Sequence, residues 1–290
     1  MTMSYWWLRP PLPAGEPAGG KPVVLVVGAY MADQLTNVEE ISAELAAATT
    51  HEVRQSWASV GGGANPGVPT AMTFGTRVPK YVAVNSIIDR SDLAKVTYLL
   101  VCDDDMQLPP GFVDRFLGVQ SALGFALAQP ARSKTSACDH EIVRECPGAV
   151  ARQTLFVESG PCFCAHRSVF DLIIPFDLTS PMGWGYEYVW AQILTANRLR
   201  MGIIDRTPVE HSLRPIAANY DRSSAYEAQQ RLLAARGHLD IAECHRVLRT
   251  FLAPGPGPPQ RSGVAPAGRA EEGSRHATGN IQRHRPPPRR

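Results

Sequence analysis

Residues 23–29 read VVLVVGA, seven consecutive positions without a polar side chain. A run this short, unbroken and rich in valine suits a strand covered on both faces, because a half-exposed strand would alternate. The next segment, NVEEISAELAAATT (37–50), has helical spacing, with Asn37 placed as an N-cap. The same succession recurs along the chain. EVRQSWASV (52–60) reads as a second strand and GGGANPG (61–67) as a loop, while KYVAVNSIIDRSD (80–92) fits either a strand or a helix. TYLLVC (97–102) is a buried strand, and LPPGFVDRFLGVQSAL (108–123) follows as a helix with proline in its first turn. GFALAQPA (124–131) and TLFVESGPCFCAHRSVFDLII (154–174) add two strands and a short helix. GYEYVWAQILTANRL (185–199) is helical, MGIID (201–205) is a strand, and 224–252 closes the chain with one or two helices. Strands alternating with helices predict an α/β domain built on a mainly parallel sheet.

Composition limits what surrounds that domain. Residues 1–21 are rich in Pro and Gly and read as an N-terminal segment outside the 22–252 domain. Residues 253–290 have almost no large apolar side chains and read as a disordered Pro/Arg-rich tail. That tail holds seven arginines against Glu271 and Glu272, so the formal net charge of +2 leaves residues 1–254 at −3. A mildly acidic body does not imply nucleic acid as a partner. No apolar run reaches the roughly 18–20 residues of a membrane helix, and the N-terminus lacks the apolar core of an export signal. The six cysteines show neither CxxC zinc spacing nor the density of a disulfide scaffold, which predicts reduced thiols and a cytoplasmic location. Neither GxGxxG nor GxxxxGK[ST] occurs, which disfavours dinucleotide cofactors and Walker-type ATP sites.

In parallel α/β sheets, ligands bind at the carboxyl ends of the strands. Directly after TYLLVC come Asp103, Asp104 and Asp105. If strand geometry persists, Asp103 and Asp105 point to one side, where a pair of carboxylates can hold Mn²⁺ or Mg²⁺ shared with substrate phosphates. The alternative is an acidic loop whose last member caps the next helix.

The stretch LLVCDDDMQLPPGFVDRFL (99–117) resembles the Asp-x-Asp motif of glycosyltransferases with the GT-A fold, and is particularly similar to the family 2 type. MGWGYEYVWAQIL (182–194) resembles the Gly-Trp-Gly acidic segment of such enzymes, and RMGIIDRTPVEHSLRP (200–215) their late strand and histidine. From Tyr98 to Pro215, with AQPARSKTSACDHEIV (128–143) and HRSVFD (166–171), the chain also resembles a less characterised glycosyltransferase-related family of plants and bacteria. These likenesses imply a Rossmann-like GT-A domain. They further imply transfer of a hexose-like sugar from a nucleoside-diphosphate sugar to a hydroxyl acceptor, with inversion. Asp103, Asp105 and His211 would hold the metal, and Asp104 would support the ribose or the water shell of the metal. Glu187 would be the general base, with Asp177 in reserve; many related enzymes carry the base as an Asp one residue later, where this chain has Tyr188. Trp184 would stack on an acceptor sugar, Gly160 would line the acceptor site, and Tyr30 and Asp33 would meet the donor nucleotide. A lipid-linked acceptor would have to be reached by peripheral contact with a membrane surface. Two rivals stay open at the sequence level: a nucleotidyltransferase or other metal-dependent phosphoester enzyme, and a non-catalytic protein that binds sugar nucleotides.

Overall fold

In β1 (Val23–Met31) alternate side chains leave the sheet on opposite sides, and each side enters its own apolar layer. This computed structural model describes residues 20–215 and 217–253. Val24, Val26 and Tyr30 pack toward α1 (Val38–Ala46), which contributes Val38, Ile41 and Leu45. Leu25 and Val27 pack on the other side, with α2 (Lys80–Ile88), where Tyr81, Val84 and Ile87 are buried. Covering the valine run on both faces is why it lacks polar positions.

The remaining strands are β2 (Glu52–Val60), β3 (Thr70–Phe74), β4 (Tyr98–Cys102), β5 (Phe125–Arg132), β6 (Ala149–Thr154), β7 (Cys162–His166), β8 (Arg200–Val209) and β9 (Val247–Leu252). The remaining helices are α3 (Phe112–Leu123), α4 (Phe170–Ile173), α5 (Tyr186–Ala196), α6 (Arg222–Ala235) and α7 (Ile241–Cys244). Among the described residues, one sheet holds every strand in the order β3-β2-β1-β4-β7-β5-β8-β6-β9. β3, β2, β1 and β4 are parallel, as are β5 and β8, while β7 and β6 run against their neighbours. α1 and α3 cover one face, and α2 and α5 the other. Full burial of an aromatic such as Phe116 on α3 contributes roughly 1.5–3 kcal/mol.

Sequence periodicity predicts an α/β sheet, and the sheet is there with three strands beyond those expected: β3, β6 and β9. Residues 247–252, expected as helix, form edge strand β9, whose side chains are mostly exposed and therefore lack a buried-strand pattern. The ambiguous 80–92 segment begins as helix α2. Pro109 and Pro110 precede α3 rather than entering its first turn, and the helix starts after Gly111 at φ +67°. Asn37 stands at the start of α1 but makes no side-chain cap; its amide donates to Met106 O at 3.1 Å instead. The expected segments 1–21 and 253–290 lie, but for residues 20–21 and 253, outside the described residues. Among the described residues, no helix is long and apolar enough to cross a membrane.

The sheet order brings distant segments to one edge. Gly28 pairs with Cys102, so the turn after β1 meets the acidic triplet after β4. Gly28 has no room for a side chain: a Cβ would stand 2.3 Å from Cys102 O and 2.5 Å from the Trp57 ring. Antiparallel β7 pairs Cys162 with Cys102, which sets Gly160 and Pro161 beside Asp103. The end of β8 bridges back through Gln107 and Glu210, and this lays His211 over Asp105.

Candidate active site

The three aspartates have three different environments. Asp103 N–H donates to Pro161 O at 2.7 Å, and its carboxylate meets Lys80 Nζ, also at 2.7 Å. Asp104 turns back into the protein, where Oδ2 accepts from Met31 N–H at 2.8 Å and from Arg214 Nη1 at 3.1 Å. Its Oδ1 is held by Arg214 Nη2. Asp105 Oδ1 lies 3.0 Å from His211 Nε2, and Oδ2 accepts from Arg214 Nε at 3.1 Å. Burial pushes the Asp105 carboxyl up, but the hydrogen bond and charge of His211, then Arg214, outweigh it and hold it below the usual carboxylate range.

One ligand atom each from Asp103, Asp105 and His211 lies within 4.8 Å of the others. Two carboxylates and an imidazole converging at that span fit a divalent cation, and the nitrogen donor suits Mn²⁺ better than Mg²⁺.

These residues line a cavity of about 830 Å³ that is also lined by α5 and the segment before it. Gly183 (φ +89°) and Gly185 (φ +91°) take backbone angles that other residues rarely adopt, and a Cβ on Gly183 would stand 2.4 Å from the Tyr81 ring. Two tight reversals therefore start α5 with Glu187 in its first turn, on the cavity wall. Glu187 Oε1 accepts from Gly185 N–H at 3.2 Å. Burial raises its carboxyl to about 7, opposed by the backbone N–H groups and assisted by nearby Glu158. A carboxylate so placed takes up a proton near neutral pH, as a general base must.

No protein-family model matches the sequence, and no curated protein matches it. Solved structures do. The crystal structure of GalNAc-T7 with UDP, GalNAc and Mn²⁺ aligns with a TM-score of 0.51 at 8% identity, covering 73% of this chain and 48% of that one. The fold is that of the GT-A glycosyltransferases. A mycobacterial protein aligns at 0.48 and 15% identity over 77% of each chain, and S. aureus TarS 1-349 with UDP-GlcNAc at 0.47 and 10% over 74% and 66%. The chain spans about half the length of GalNAc-T7.

Within the GT-A frame, the residues singled out in the sequence separate into two groups. Asp103, Asp104, Asp105, Gly160, Trp184, Glu187 and His211 all border the one cavity. A Cβ at Gly160 would stand 3.1 Å from Lys80 Nζ and 3.3 Å from Asp103 Oδ2, so backbone there lies against Asp103 and its lysine partner. The Trp184 indole donates to Tyr220 Oη at 2.9 Å, and the Arg222 guanidinium sits 5.6 Å over its ring.

Tyr30 and Asp33 are placed otherwise. Tyr30 is only 2% exposed, with its hydroxyl 2.8 Å from Thr70 Oγ1 and accepting from Asn65 N–H at 2.7 Å. Its ring has no open face for a base, which corrects the stacking expectation; strand alternation gives the cavity to Ala29 and Met31. Asp33 is exposed and pairs at 3.1 Å with Arg77, and it is Arg77 that lines the cavity. The reserve base Asp177 is paired with Arg236 at 2.7 Å.

Sequence reasoning missed Lys80, Arg132 and Glu158. Buried Arg132 donates to Glu158 Oε2 and to Gly160 O, each at 2.8 Å, and so supports the loop that carries Gly160. Lone basic and acidic residues in segments of uncertain structure carry no signal of their own.

Proposed function

We propose that this protein is a metal-dependent glycosyltransferase that moves a sugar from a nucleoside-diphosphate sugar to an acceptor hydroxyl, with inversion. One observation carries the reading. A cluster fit for a divalent cation and a buried carboxylate poised near neutral pH face the same cavity on a GT-A fold. GalNAc-T7, which shares the fold, was solved with UDP, GalNAc and Mn²⁺, and this favours a nucleotide-sugar donor here.

Asp103, Asp105 and His211 would hold Mn²⁺ or Mg²⁺. When bound, the ion supplies positive charge to offset what develops on the departing diphosphate. Glu187 takes the proton from the acceptor hydroxyl as its oxygen attacks the anomeric carbon. Buried and half-neutral at pH 7, it releases that proton readily afterwards. Trp184 offers an apolar ring face at the cavity wall to a sugar acceptor. Gly160 lets backbone approach the donor and acceptor beside Asp103. Asp104 is a structural anchor in this scheme, because it stands outside the Asp103–Asp105–His211 cluster and accepts from the Met31 backbone and Arg214. The domain proper is 22–252.

The test is release of nucleoside diphosphate from a panel of nucleoside-diphosphate sugars, with and without chelator, using wild type and Glu187→Gln. Chelator-sensitive release from one donor, lost in Glu187→Gln, is expected. Full turnover by Glu187→Gln would favour a phosphoester reaction that needs no acceptor base. Binding without turnover in the wild type would favour a non-catalytic sugar-nucleotide-binding protein.

A further inference from the structure

Both carboxylates of the candidate metal pair already carry a cationic partner. Lys80 Nζ lies 2.7 Å from Asp103 Oδ1 and is fixed there by donating to Ser159 O at 3.0 Å. The Arg214 guanidinium lies 3.0 Å from Asp105 Oδ2, grips both oxygens of Asp104, and donates to Leu35 O at 3.1 Å. Each of these two side chains is only 12% exposed, so their charge is weakly screened by solvent.

The charge balance at the cluster follows. Asp103, Asp104 and Asp105 bring three negative charges, and Lys80 and Arg214 cancel two of them. An arriving divalent ion meets a cluster of net charge −1, with two positive charges held against the carboxylates it needs. Attraction between the ion and its ligands is offset by repulsion over similar distances in the same poorly screened setting. A diphosphate that enters with the ion adds negative charge to the cluster and reverses the balance.

Building on the metal reading above, we infer that Lys80 and Arg214 are counter-cations that make metal binding conditional on the nucleoside diphosphate. The free protein holds the ion weakly, and ion and diphosphate tighten one another. By linkage, the coupling is reciprocal. Lys80 and Arg214 are thus positioning residues that set the order and selectivity of loading, because an ion without a diphosphate is not retained. Neither is required to touch the reacting atoms.

The experiment measures free Mn²⁺ by electron paramagnetic resonance during titration of wild type, Lys80→Met, Arg214→Met and the charge-preserving Lys80→Arg. Each is titrated alone and with UDP, GDP, TDP or ADP. For the wild type, Mn²⁺ affinity should rise at least about fivefold with one of these diphosphates. Each Met variant should bind Mn²⁺ alone at least about threefold more tightly than wild type, with most of the coupling gone. Lys80→Arg should behave as wild type. The inference is overturned if both Met variants bind Mn²⁺ alone no better than wild type, or if they retain the full coupling. If the wild type binds no Mn²⁺ under any of these conditions, the metal reading itself fails, and this inference falls with it. Two variants on separate elements, α2 and the segment after β8, keep the test open if one does not fold.

Discussion

His211 Nε2 stands 3.0 Å from Asp105 Oδ1, a contact that closes 106 residues of chain and joins the end of β8 to the end of β4. It depends on the Gln107–Glu210 bridge, where each backbone N–H donates to the carbonyl of the other residue. The sheet thus delivers the third ligand of the candidate metal cluster, and the position of α5 delivers the candidate base.

Glu187 should trade stability for activity. Its folded-state value of about 7 lies above the ordinary 4.5, so between those values the folded protein binds more protons than the unfolded chain. Stability is then fully present below about 4.5 and falls as pH rises toward 7, by about 3 kcal/mol in all. Glu187→Gln should therefore be more stable than wild type at pH 8 by denaturant titration, while kcat drops by roughly 10²–10⁴-fold. The wild-type kcat/KM should rise about tenfold per pH unit up to about 7 and then level. A variant that is both less stable at pH 8 and fully active would contradict this assignment.

Tyr30 should matter to folding and not to the donor. Tyr30→Phe removes the partner of Asn65 N–H and Thr70 Oγ1, a loss of roughly 1–3 kcal/mol in urea unfolding with donor KM unchanged. A ring that stacked on the base through its faces would tolerate the change without loss of stability.

Gly28 should tolerate no side chain. Its would-be Cβ meets a carbonyl oxygen of the neighbouring central strand at 2.3 Å and the buried Trp57 ring at 2.5 Å, and neither can retreat cheaply. Gly28→Ala should cost about 3 kcal/mol or more, read as a lower urea midpoint or loss of soluble protein. An unchanged midpoint would mean that β1 and β4 are not paired in this register.

Strand alternation made much of the site legible. Alternation continued past the end of β4 sets Asp103 and Asp105 apart from Asp104, and those two converge with His211 while Asp104 accepts from Met31 N–H. The same period also contained the correction for Tyr30, which shares parity with the core residues Val24 and Val26. Lys80, Arg132 and Glu158 were not legible. Their meeting at Gly160 depends on β7 entering the sheet antiparallel between β4 and β5, a long-range pairing that no local pattern encodes. β9 escaped for a different reason: an exposed edge strand has little burial to imprint on its sequence.

The Asp103–Asp105–His211 cluster should bind a nucleoside-diphosphate sugar through a divalent cation. Its most direct test is a thermal-shift panel of such sugars, each with and without Mn²⁺, on wild type and Asp103→Ala. A donor at 100-fold its Kd should add about 2.7 kcal/mol of stability, a rise in Tm of roughly 5–10 °C. That rise should require Mn²⁺ and vanish in Asp103→Ala. If no donor gives a metal-dependent rise in the wild type, or if Asp103→Ala responds just as well, the cluster does not hold a donor through a metal.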